Sequence, residues 1–146
     1  MKTKFLYGDI TGDILGAFYK VLAQDNSEGL KEEALTNALA IELQERGRKT
    51  RREVSVTHRY KSKTIGSGRI DLLVANKVIV EVKKLKALRN SDSKQLEAYM
   101  ESGHYAVGLL LNFNKDNPQQ KRLDKPNFAP KSSLRKTLPA QNTSAE

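Results

Sequence analysis

Two short apolar segments with a brief polar connection between them constrain the fold of this chain most tightly. Residues 70–74 and 78–83 are rich in β-branched and large aliphatic side chains, which favour strands. Only Ala75, Asn76 and Lys77 separate them, a length that suits a hairpin. The pattern therefore predicts two paired strands, and each carries one carboxylate, Asp71 in the first and Glu81 in the second.

The flanking segments complete an α/β pattern. Apolar residues at helical spacing predict helices over about residues 11–24 and 30–43, and Gly47 is suited to end the second. Alternation over residues 53–58 predicts the first strand, and residues 61–63 and 66–68 have turn composition. A third helix follows from Ser91 or Asp92 to Gly103, and residues 105–113 predict a buried strand. The order α-α-β-β-β-α-β indicates helices packed on a small mixed sheet.

The length and composition favour one compact domain. A chain of 146 residues suits one core, which we place in residues 1–113. Residues 114–146 contain all four prolines and a net positive charge, so we expect a basic and partly flexible tail. The chain has no cysteine, which excludes disulfides and thiolate metal sites and favours an intracellular location. It also has no apolar run long enough for a membrane helix or a signal peptide.

Positive charge is concentrated in one part of the sequence. The formal net charge is +9, and residues 44–63 alone hold eight basic and two acidic side chains. Such clustering is typical of proteins that bind nucleic acid, although charge that serves only solubility is the alternative. The candidate binding residues are Arg46, Arg48, Lys49, Arg51, Arg52, Lys61 and Lys63.

Asp71, Glu81 and Lys83 form the one constellation that could perform catalysis. Side chains alternate along a strand, so Glu81 and Lys83 project from the same face. Two carboxylates on adjacent strands make an oxygen-rich site that suits Mg²⁺, which keeps several of its own waters. A nearby ammonium could stabilise charge that develops on a phosphate. Glu-x-Lys on a strand is usually only a solvated face, so the order of elements has to supply the specificity.

That order resembles the GxxExxY family of PD-(D/E)XK nuclease-like proteins over about residues 10–113. The matching positions are Gly29 and Glu32 on the second helix, residues 69–74 and 77–83 on the strand pair, Gln95, Leu96 and Tyr99 on the third helix, and residues 107–113 on the last strand. One position departs from the family, because Leu35 stands where its name expects Tyr.

The resemblance implies an α/β fold of the PD-(D/E)XK nuclease-like type and a set of roles. Asp71 and Glu81 would bind Mg²⁺, or Mn²⁺ in its place, and Lys83 would orient water or stabilise charge. Glu32 and Gln95 would approach the same catalytic site from the second and third helices. Glu32 could instead simply favour the start of its helix, and Gln95 could be an ordinary exposed residue.

Three functions remain open from the sequence. The first is a Mg²⁺-dependent nuclease that acts on DNA or RNA. The second is a catalytically weak or inactive protein that uses the nuclease fold and its basic surface to bind or package DNA. The third is a scaffold that pairs with another protein. We expect a nucleic acid partner and no membrane partner, and the resemblance adds homodimerisation as an option.

Overall fold

A computed structural model of the protein describes residues 5–130 and shows a five-stranded sheet flanked by three helices. The strands are β1 (Thr50–Tyr60), β2 (Lys63–Val74), β3 (Val78–Lys83), β4 (Val107–Asn112) and β5 (Gln119–Asp124). They lie in the sheet in the order in which they occur in the chain. All neighbouring pairs are antiparallel except β3 and β4, which are parallel because a helix connects them.

The helices are α1 (Gly8–Leu22), α2 (Glu32–Glu45) and α3 (Asn90–Gly103). Short 3-10 turns lie at Ser27–Gly29 and Pro126–Phe128. Helices α1 and α2 pack with one face of the sheet around Phe18, whose ring meets that of Phe113 edge to face at 4.7 Å. Helix α3 covers the other face through Leu96 and Met100. The central strands β3 and β4 are therefore buried on both faces, which explains their nearly continuous apolar sequences.

The predicted α/β architecture and its order of elements are confirmed, with one additional strand. The sequence pattern predicts no strand after Phe113, yet β5 pairs along its whole length with β4. The strand was missed because its sequence is mostly polar and it lies at the edge of the sheet, where no apolar alternation is required. The sheet thus continues past residue 113, and residues 131–146 of the predicted tail lie outside the described residues.

The turn predicted between β1 and β2 is wrong in its extent. Residues 66–68 belong to β2, and the connection consists only of Lys61 and Ser62, both with positive φ. One of the glycines that suggested a turn, Gly68, serves close packing instead. A Cβ atom on Gly68 would lie 2.6 Å from the Tyr99 ring, so only glycine allows α3 to approach the strand there.

Among residues 5–130, none of the helices combines the length and the apolar character needed to cross a membrane.

Candidate active site

The two predicted metal ligands lie where β2 and β3 separate. Regular pairing of the strands ends at Leu72 and Val80. Beyond that point, the backbone N–H of Asp71 donates to Glu81 Oε2 at 3.2 Å. The N–H of Val82 donates to Asp71 Oδ2 at 2.9 Å. Each carboxylate thus replaces a missing partner in the ladder, and the backbone fixes the two side chains beside each other.

Burial and mutual repulsion dominate the electrostatics of this carboxylate pair. Glu81 is only 4% exposed. Burial raises its pKa to about 8, and the negative charge of Asp71 adds to that rise. The hydrogen bond from the Asp71 backbone and the charge of Lys83 lower the pKa, but by less. Without a metal ion beside it, Glu81 therefore keeps a proton near neutral pH.

Lys83 lies on the same side of β3 as Glu81 and reaches toward the start of α3. Its Nζ atom is 3.9 Å from Asp92 Oδ1. Asp92 is buried and accepts hydrogen bonds from the backbone N–H and the guanidinium of Arg89. The guanidinium bond holds the pKa of Asp92 below its usual range despite burial. The Lys83 ammonium therefore lies beside Asp92 of the helix, and its charge also acts on Glu81 of its own strand.

Tyr99 forms a wall of the site on the α3 side. Burial raises the pKa of its hydroxyl, and the charges of Glu81 and then Asp71 raise it further. Its ring stacks on that of His58 at 5.9 Å between centroids. The sequence analysis matched Tyr99 to the family pattern and treated Asp92 only as a helix cap. The sequence did indicate that Tyr99 could lie at the site, because it follows Gln95 by four residues and therefore shares its face of α3.

Glu32 and Gln95, the two residues expected to approach the carboxylate pair from the helices, differ in their contacts. Glu32 Oε2 accepts a hydrogen bond of 2.9 Å from the backbone N–H of Lys84, the residue after β3. Lys84 Nζ in turn donates to the carbonyl oxygens of Leu30, at 2.6 Å, and of Glu28. The start of α2 is therefore tied to the end of β3. Gln95 is exposed on α3, and its side chain has no hydrogen-bond partner within residues 5–130.

The donor set fits a magnesium-type ion better than a zinc-type ion. Within the described part of the chain, no three His, Cys, Asp or Glu side chains are grouped to hold a metal. The site instead offers the two carboxylates of Asp71 and Glu81, of which one is buried and crowded by like charge. A divalent cation would relieve that repulsion, and Mg²⁺ or Mn²⁺ accepts few protein ligands and retains water.

The structure divides the predicted basic residues into two groups. Arg48 binds Asp13 of α1 at 2.7 Å, Arg46 lies 3.7 Å from the same carboxylate, and Arg52 donates to the Asp71 carbonyl at 3.0 Å. These three side chains therefore bind the domain itself, Arg46 and Arg48 through α1 and Arg52 through β2. The other four cations are exposed and form no ion pair within residues 5–130, namely Lys49 and Arg51 on or beside β1 and Lys61 and Lys63 at the end of the β1–β2 hairpin.

The chain is similar to known proteins in structure and in sequence profile. One solved structure, described as "Crystal structure of SSO0001", is 15% identical over 97% of this chain and 88% of that chain, with a TM-score of 0.48. No curated protein is similar enough to count as a match. The sequence profile of the PD-(D/E)XK nuclease superfamily matches residues 8–123, from the first residue of α1 almost to the end of β5. The match spans the helices, the sheet and the carboxylate pair, and the chain belongs to the PD-(D/E)XK nuclease superfamily.

Proposed function

We propose that this protein is a Mg²⁺-dependent hydrolase of phosphodiester bonds in nucleic acid, with Mn²⁺ as an alternative ion. One observation carries the proposal: Asp71 and Glu81 lie side by side at the break in the β2–β3 ladder, with Lys83 on the same face as Glu81. Superfamily membership adds support, because its nucleases typically use these ions. Within the superfamily, Gly29, Glu32 and the strand pair favour the GxxExxY family.

Each residue has a distinct part in this reaction. Asp71 and Glu81 would hold the ion, which supplies Lewis-acid polarisation of the phosphodiester when bound. The Lys83 ammonium stabilises negative charge as it develops on the phosphate oxygens, and Asp92 keeps that ammonium in position. Glu32, held by the Lys84 backbone, adds negative charge at the edge of the site. Gln95 would contribute only after a change of side-chain conformation.

A catalytically weak binding protein is the second candidate. The net charge of +9 and the exposed position of Gln95 favour it. In that case the carboxylate pair would be retained without efficient turnover, and the basic surface would bind DNA as a packaging or architectural protein does.

A cleavage assay separates the two candidates. Purified protein is incubated with labelled DNA and RNA in Mg²⁺, Mn²⁺ or EDTA. We expect cleavage that depends on the metal and is abolished in Asp71→Ala, Glu81→Ala and Lys83→Ala. Glu33→Ala is the matched control, because Glu33 is exposed beside Glu32 and lies outside the proposed catalytic group.

Two results would count against hydrolysis by this site. Cleavage that persists in EDTA, or in Glu81→Ala, would place the activity elsewhere. Binding of nucleic acid without cleavage under any metal would instead establish the binding protein.

A further inference from the structure

The outer part of the β1–β2 hairpin has a composition unlike the rest of the domain. Residues 54–70, which we call the ribbon, contain four cations and no acidic residue. Arg69 pairs with Glu53 at 3.5 Å. The other three cations, Arg59, Lys61 and Lys63, have no ion-pair partner within the described residues. The ribbon therefore presents a concentrated positive charge at its end.

A tight turn closes the end of the ribbon, which also carries exposed apolar side chains. Lys61 and Ser62 form a two-residue turn with φ of 51° and 68°, the tight type favoured in hairpins. Tyr60 and Ile65 are 62% and 67% exposed, among the most exposed large apolar side chains in residues 5–130. The Lys61 ammonium lies 5.5 Å from the centre of the Tyr60 ring. Cations and apolar groups thus share one narrow projection.

Direct contacts connect the ribbon to the carboxylate pair. His58 Nδ1 and Ser102 Oγ are 2.6 Å apart, and the His58 ring stacks on Tyr99. Gly68 lies against the same tyrosine. The negative charges of Glu81 and Asp71 raise the pKa of the Tyr99 hydroxyl, which places this side chain near the carboxylate pair. Asp71 lies six positions after Ile65 along an extended strand, a distance of roughly 20 Å. A polymer bound at the carboxylates therefore passes within reach of the ribbon.

We propose that the ribbon enters the major groove of double-stranded DNA beside the phosphodiester at the active site. This inference rests on the proposed function for the position of the cleaved bond, and on charge complementarity for the binding. The major groove of B-form DNA, about 12 Å wide, admits a two-stranded ribbon. Arg59, Lys61 and Lys63 contact phosphates along the groove, and Tyr60 and Ile65 face the base edges.

This geometry selects among nucleic acids. The major groove of A-form RNA is deep and narrow, so the ribbon cannot enter it. Single strands offer no groove. Two exposed apolar side chains bury too little area to anchor the ribbon in a lipid bilayer or in a second copy of the chain. The substrate class is therefore duplex DNA.

The test compares two triple variants that remove the same charge. One replaces Arg59, Lys61 and Lys63 by Ser, and the control replaces the exposed Lys20, Lys77 and Lys121 by Ser. Fluorescence anisotropy in EDTA gives the Kd for duplex DNA, duplex RNA and single-stranded DNA at several salt concentrations. Each lost phosphate contact lowers the slope of log K against log salt by about 0.9, so the ribbon variant should lose up to about 2.7.

The expected results are specific to the ribbon. Duplex DNA should bind at least ten-fold more weakly to the ribbon variant, and the control should change by much less. The double variant Tyr60→Ala, Ile65→Ala should lower the affinity with little change in the salt slope. Wild type should prefer duplex DNA to the other two ligands. Thermal unfolding confirms that each variant is folded.

Several results would overturn the inference. The first is an equal change in the Kd for duplex DNA in the two triple variants, and the second is an equal affinity of wild type for duplex RNA and duplex DNA. The third is a dimer, or binding to anionic vesicles, that depends on the ribbon. Failure of the proposed function looks different. Wild type would then bind duplex DNA through the ribbon and leave it uncleaved in Mg²⁺, whereas failure of the inference alone leaves metal-dependent cleavage unaffected by the ribbon variant.

Discussion

Replacement of Glu81 by Gln should stabilise the metal-free protein while removing its proposed activity. Glu81 is buried, and its pKa is raised from 4.5 to about 8, mainly by burial. The folded state therefore holds a proton that the unfolded state loses above pH 4.5. Stability contributed by this group is complete below pH 4.5, falls as pH rises toward 8, and is lost above it.

The magnitude follows from the size of the shift. Each pKa unit corresponds to about 1.4 kcal/mol, so the full shift represents roughly 4 to 5 kcal/mol. Local relaxation and water entry reduce the effect, and we expect Glu81→Gln to gain about 2 kcal/mol or more at pH 8.5. The amide keeps an oxygen that can accept the hydrogen bond from the Asp71 backbone and adds a donor for its carboxylate.

Urea unfolding in EDTA at pH 5, 7 and 8.5 measures this effect, with Glu33→Gln as the exposed control. The free energy of unfolding of wild type should fall with pH, and the fall should be much smaller in Glu81→Gln. If the variant is less stable than wild type at pH 8.5, or follows the same pH dependence, the buried Glu81 carboxyl does not destabilise the metal-free fold.

Three further perturbations test the site. The cleavage rate at limiting Mg²⁺ should rise by nearly ten-fold per pH unit below pH 7 and by less as the pH approaches 8, because Glu81, whose pKa is raised to about 8, must lose its proton before it binds the ion. Asp92→Asn should lower kcat roughly ten-fold and leave KM for DNA nearly unchanged, since Lys83 loses the charge that positions it. Gly68→Ala should destabilise the fold by about 1 to 3 kcal/mol in urea unfolding, because the added methyl group meets Tyr99 at 2.6 Å.

Specific results would contradict each of these three expectations. A cleavage rate independent of pH would contradict the first, and a change in KM alone would contradict the second. Gly12→Ala is the control for the third, because a Cβ atom at Gly12 meets nothing within 4 Å in an α-helix, where alanine is favoured. Equal changes in the free energy of unfolding of the two glycine variants would show that the Tyr99 side chain moves aside without destabilising the fold.

The parts of the fold that the sequence predicted are those that bury apolar side chains in a regular pattern. The sequence of β3 predicts a strand because Val78, Val80 and Val82 alternate along it and pack against the helices. Glu81 is then the one acidic residue in an otherwise apolar segment that ends at Lys83. β5 carries no such pattern, because backbone pairing with β4 holds it and its side chains remain mostly accessible. Residues 66–68 were misassigned because a glycine that makes room for Tyr99 resembles a glycine in a turn.

The sequence likewise predicted some contacts of the candidate site and missed others. Local order along the chain was enough to place Asp71 beside Glu81, since a short hairpin leaves few alternatives. The contact between Lys83 and Asp92 joins a strand to a helix, and nothing in the spacing of the two residues specifies it. The use of Arg46 and Arg48 within the fold likewise depends on Asp13, 33 and 35 residues earlier in the chain.

Direct titration with a divalent ion tests the central claim that Asp71 and Glu81 form a metal site. Isothermal titration calorimetry with Mn²⁺ or Mg²⁺ at pH 8.5, without nucleic acid, reports the stoichiometry and the affinity. We expect one site per chain in wild type and in Glu33→Gln, and none in Asp71→Asn or Glu81→Gln. Binding of equal affinity in Glu81→Gln, or no binding to folded wild type at millimolar ion, would contradict it.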